Sequence, residues 1–82
     1  MAHCQILYWQ DIPSQVKAWD AFDEVRIELS QKFAVRIDLA SLEQRLTQTD
    51  DYLAQWMWSD EQERNGSPEE VAKAVVNELE SQ

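Results

Sequence analysis

The chain has 82 residues, which makes it one small domain, 1–82, with no room for a second. Some 44% of residues are apolar and 28% charged, with one Gly and two Pro, a globular composition rather than that of a disordered tail. Sixteen acids oppose seven bases, and the net charge of −9 repels phosphate backbones and anionic lipid, so neither nucleic acid nor membrane is expected as a partner.

The acidity is uneven. Residues 1–41 carry six acids and four bases, whereas residues 42–82 carry ten acids and three bases. Such a field favours a protein partner with a basic face. No apolar run approaches the roughly 18–20 residues of a membrane span. The opening Met-Ala-His-Cys-Gln lacks the basic and apolar regions of a signal peptide. One cysteine permits no internal disulfide and fits a reducing compartment, so a cytoplasmic location is expected.

In chain order, residues 4–9 are short, β-branched and aromatic and read as a strand. Asp11-Ile12-Pro13-Ser14 breaks the run, and Gln15 to Trp19 reads as a second strand. Asp20 to Asp23, with Phe22 inside it, reads as a turn. Val25, Ile27 and Leu29 then alternate with Arg26 and Glu28, the clearest strand signal in the chain. Connections this short exclude parallel crossovers, so the three strands form an antiparallel meander.

Ser30 is a possible N-cap for a helix over 31–46. That helix carries two apolar stripes, one of Phe33, Ile37 and Ala40, the other of Val35, Leu39, Leu42 and Leu46. Two stripes predict a helix sandwiched between the sheet and another helix or a partner. Phe33, Val35, Ile37 and Leu39 also alternate as a strand would. The helix is preferred, because that strand would have to become a helix at once from Ala40. Thr49 with Asp50 and Asp51 signals a second helix, whose apolar face is Tyr52, Leu53, Trp56 and Met57. Ser59 to Gly66 reads as a loop. Ser67-Pro68-Glu69-Glu70 is a capping box with Pro at N1, and it opens a helix to about Glu80 lined by Val71, Ala72, Val75 and Leu79. The fold class is therefore α+β, a three-stranded antiparallel meander packed against about three helices.

Little chemistry is on offer. His3 is the only histidine, and its neighbour Cys4 does not complete a metal site. Nucleophilic catalysis lacks a base beside any Ser or Thr, and no Gly-rich loop is present to cradle phosphate. Adjacent carboxylates such as Asp50-Asp51 and Glu69-Glu70 are explained by helix starts. No catalytic residue, metal or cofactor is assigned, and the protein is not expected to be an enzyme.

Binding remains. Most of Trp9, Trp19, Trp56 and Trp58 are expected to pack a small core. On an ideal helix Trp56 and Trp58 point about 160° apart, so one inward-facing Trp56 would leave Trp58 for a loop or a partner. Trp, Tyr and Met are enriched at interface centres.

The string Ile6-Leu7-Tyr8-Trp9-Gln10-Asp11-Ile12-Pro13-Ser14-Gln15-Val16 resembles the opening of a small bacterial family described as virulence factor. Phe33…Ile37-Asp38, Thr49-Asp50-x-Tyr52-Leu53 and Glu61-x-Glu63-Arg64-x-Gly66-x-Pro68-x-Glu70-Val71-Ala72 continue the likeness over nearly the whole chain. Gln10 stands where Arg is common, and the turn at Asp20 to Asp23 lacks the expected Gly and basic residues. The resemblance implies a non-catalytic protein-interaction or accessory module, a small subunit of a larger bacterial assembly or one linked to virulence. The expected contact residues are Tyr8, Trp9, Ile12, Trp56, Trp58 and Arg64. The alternative is a small-ligand or cofactor-binding component of an enzyme of one-carbon or methyl-transfer metabolism, with Tyr8, Trp9 and Trp56 lining its pocket.

Overall fold

The computed structural model describes residues 1–47 and 49–81. Among these residues the chain forms five strands and three helices: β1 (Ala2–Trp9), β2 (Ile12–Trp19), β3 (Glu24–Glu28), α1 (Gln31–Glu43), α2 (Asp50–Ala54), β4 (Trp56–Trp58), β5 (Gln62–Arg64) and α3 (Pro68–Glu80). The expected meander is present in the order β3-β2-β1, and the sheet is larger than expected because β4 and β5 both pair antiparallel with β1.

The first hairpin is tighter than the sequence suggested. The break expected over Asp11 to Ser14 is confined to the turn, and Ile12, Pro13 and Ser14 already belong to β2. The connection is only Gln10 and Asp11, and Pro13 is already in β2, opposite Tyr8. Two features permit this. Gln10 adopts a φ of 56°, the left-handed region a two-residue hairpin needs at its first turn position. A bulge then inserts Ser14 between Pro13 and Gln15, and Pro is tolerated beside such an irregularity. Ser14 still contributes its carbonyl, which accepts from Leu29 N–H at 3.0 Å.

The second correction concerns the aromatic segment. Thr49 does cap α2, accepting from Tyr52 N–H, but the helix ends at Ala54. Trp56, Met57 and Trp58 are extended and lie opposite Trp9, Tyr8 and Leu7. Periodicity cannot separate helix from strand over so short an apolar run, and Trp and its neighbours are good strand formers. The supposed loop Ser59 to Gly66 likewise contains β5, whose Gln62, Glu63 and Arg64 face Cys4, His3 and Ala2. Between β4 and β5 the three residues Ser59 to Glu61 oppose only Gln5 and Ile6, a one-residue bulge. Ser59 stitches it shut: its N–H donates to Ile6 O at 2.8 Å and its hydroxyl accepts from Ile6 N–H at 2.9 Å.

Residues 33–39 are helical, so the strand alternative for that stretch falls. The expected second stripe is not sandwiched. Phe33 and Ile37 are buried, while Val35, Leu39 and Leu42 are exposed. Ser30 sits at the N-cap, but its hydroxyl donates to Glu80 Oε1 at 2.8 Å instead of capping α1. The helix ends before residue 46 because Arg45 turns left-handed at φ 58°. Arg45 N–H then donates to Leu42 O and Leu46 N–H to Ser41 O, a Schellman closure with Arg where Gly is usual.

The start of α3 is as expected. Ser67 accepts from Glu70 N–H, the Glu70 carboxylate accepts from Ser67 N–H, and Pro68 is at the first turn. Its Val71, Ala72, Val75 and Leu79 close a core with Phe33 of α1, Leu29, and the inward sheet residues Ala2, Cys4, Val16 and Ala18. Small side chains on the sheet let α3 approach closely, which is how so short a chain reaches full burial at these positions.

Candidate functional site on the open face of the sheet

Cross-strand partners share a face of a sheet. Cys4, Ala18 and Val25 therefore point together, toward α3, as do Ile6, Val16 and Ile27. The intervening residues point the other way: His3 beside Trp19 and Glu63, Gln5 beside Lys17, Leu7 beside Gln15 and Trp58.

On that outer face one cation organises the aromatics. Lys17 Nζ lies 4.4 Å from the ring centre of Trp58 and 5.1 Å from that of Trp19, so a single ammonium bridges two indoles. His3 stacks on the other flank of Trp19, with centroids 5.7 Å apart and an interplanar angle of 23°. Its Nδ1 has no hydrogen-bond partner and lies 3.6 Å from a Glu61 carboxylate oxygen and 3.7 Å from one of Glu63. The Gln5 side-chain amide donates to Ser59 O at 3.0 Å. Beyond Lys17, β3 contributes Glu28 and the ion pair Arg26–Glu24. The result is an aromatic centre with carboxylates along both edges.

Next to this face stands the β2–β3 turn. Asp20 holds it, its carboxylate accepting from Phe22 N–H and Asp23 N–H, both at 2.8 Å, and these bonds keep its carboxyl below the usual range. Phe22 projects from the tip, 93% exposed.

The six contact residues expected from sequence do not converge here. Only Trp58 lies at the centre of the face, 37% exposed. Its outward position follows from pairing with Leu7, not from a helical angle to Trp56. Trp9 has no exposed surface; its indole N–H donates to Tyr52 O at 3.0 Å, and its ring packs on Tyr52 at 5.5 Å. It is a core residue and offers nothing to a partner. Trp56 is half-buried with its ring edge-on to Tyr52. Tyr8 is half-buried between Pro13 and Met57, and Ile12 packs against the main core. Arg64 is taken up by Glu78 of α3 in a bidentate pair that fastens β5 to the helix, and the guanidinium holds the Glu78 carboxyl below its usual range. The residues missed were Lys17, Trp19 and His3. The alternation of Lys17 and Trp19 with Val16 and Ala18 was the signal that would have found the first two.

Tyr8, Trp9 and Trp56, expected to line a pocket, are not among the residues that line the cavity found among the described residues. That cavity, of about 400 Å³, lies between α1 and α2, lined by Asp38, Ser41, Thr47, Thr49, Asp50, Tyr52 and Leu53. Its one deeply buried hydroxyl, Ser41, is satisfied by Asp38 O and Thr47 Oγ1. Cys4 is buried beneath the sheet, and burial pushes its thiol pKa up, away from a reactive thiolate. Among the described residues no cluster of three or more potential metal ligands occurs, and no helix is long and apolar enough to cross a membrane.

Searches of curated proteins and of solved structures return no match. A family model does match, over residues 7–82, from the end of β1 through α3. The chain thus belongs to the family described as virulence factor.

Proposed function

We propose that this chain is a non-catalytic accessory module that binds a protein partner through the open face of its sheet. The observation that carries the reading is the half-buried Trp19 and the exposed Trp58 held about Lys17, beside an almost fully exposed Phe22. Aromatic anchors at the centre and charges at the edge are the anatomy of a protein-binding patch. The edge charges are mainly Glu24, Glu28, Glu61 and Glu63, which suits a partner whose own rim is basic. Membership of the virulence factor family fits a virulence-linked role for that partnership. A cytoplasmic site of action is supported by the buried, unpaired Cys4.

The test is capture of a partner from the native host by the tagged protein at low and moderate salt. A stoichiometric partner that weakens with salt and is lost with Trp58→Ala or Phe22→Ala is expected. Equal capture by those variants and the parent would refute the open face as the binding surface.

A further inference from the structure

Helix α1 presents a second surface, on the layer away from the open sheet face. Phe33 and Ile37 turn inward, and Val35, Leu39 and Leu42 stay 46%, 54% and 61% exposed. At 100° per residue, Val35 and Leu42 lie within about 60° of Leu39 on one side, and Arg36 and Glu43 within about 60° on the other. The exposed face is therefore an apolar stripe beside a charged one. Among the described residues neither Arg36 nor Glu43 has an ion-pair partner in its own chain.

We propose that this face docks against the same face of a second copy of the chain, with the two α1 helices antiparallel about a two-fold axis at Leu39. That axis sets Leu39 against its own counterpart and Val35 against Leu42 of the second copy. A two-fold perpendicular to an antiparallel pair keeps each flank with its like. Arg36 then falls within one residue of Glu43 of the second copy, and the reciprocal pair forms by symmetry. The charge pattern is thus complementary to itself in this orientation, whereas a parallel pairing, whose two-fold runs along the helix axes, would set each charged flank against the apolar flank of the other copy. The exposed Leu53 of α2 lines the cavity with Asp38, on the apolar flank of α1, and extends the stripe there.

Helix α1 is about 20 Å long, so the contact is smaller than the ~800 Å² per partner of a typical stable complex. The dimer is accordingly weak and concentration-dependent. It leaves both open sheet faces free, so it would present two copies of the proposed partner-binding surface.

Sedimentation velocity on the full chain, from roughly 1 µM to 1 mM, tests this directly. A reversible monomer–dimer equilibrium is expected. Leu39→Glu should abolish it, with circular dichroism confirming the fold. Arg36→Glu and Glu43→Arg should each weaken dimerisation by about tenfold or more, and the double exchange should restore it. A monomer at every concentration overturns the proposal. So does a dimer indifferent to Leu39→Glu, or a double exchange no better than the single ones. Failure here leaves partner capture through Trp58 untouched, because the two surfaces are separate.

Discussion

The two faces of the sheet are made from the same strands, residue by residue in alternation, yet differ in composition and in burial. The face beneath α3 uses small and branched residues, Ala2, Cys4, Val16 and Ala18, and reaches near-complete burial. The other face uses His3, Lys17, Trp19 and Trp58, and neither α1 nor α3 covers it. Burying large aromatics would have been the simplest way to stabilise so small a domain. Two of the four tryptophans instead lie on this outer face, Trp19 half-buried and Trp58 exposed, and the proposed binding role rests on them.

Breaking the covered face should have the largest effect. Phe33→Ala removes a buried ring from under α3 and should cost about 3–5 kcal/mol, enough to unfold much of the protein, as read by urea denaturation. Leu79→Ala should cost somewhat less, about 2–4 kcal/mol, by the same measurement. Ser67→Ala removes half of the capping box and should lower stability by about 1 kcal/mol. On the open face, Lys17→Ala should change stability by less than about 1 kcal/mol while altering Trp fluorescence, since it removes the ammonium between two indoles. Arg45→Gly should raise stability by about 0.5–1 kcal/mol, because Gly adopts the left-handed closure of α1 without strain.

Acid provides a finer comparison. Asp20 and Glu78 both have carboxyl pKa values below their ordinary range in the folded chain, through backbone N–H bonds and through Arg64 respectively. Their contribution is complete above the ordinary carboxylate range and disappears as pH falls through the lowered values. Stability should therefore drop in that acidic window, and Arg64→Gln should remove the part due to Glu78. Urea midpoints at neutral and acidic pH, parent against variant, measure this.

How much was legible follows from how each element is encoded. The β3 alternation and the Ser67 capping box are local signals, and both read correctly. Strands β4 and β5 are three residues each and exist only because β1 offers an edge to pair with, which no local pattern reports. Trp58 was expected, from its helical angle to Trp56, under a loop or against a partner, and it lies on the outer face because it pairs with Leu7. Trp9 was expected at an interface and is sealed by Tyr52, a contact between residues 43 positions apart. The open face needed the register of three strands before His3, Lys17, Trp19 and Trp58 could be seen as neighbours.

The most direct test of the partner-binding claim is site-specific photo-crosslinking in the native host. A photoreactive amino acid is placed at Phe22 or Gln15 beside the open face, or at Glu69 on the exposed side of α3. The account predicts one common partner adduct from positions 22 and 15 and none from position 69. Adducts from position 69 alone, or none from the sheet positions, would contradict it.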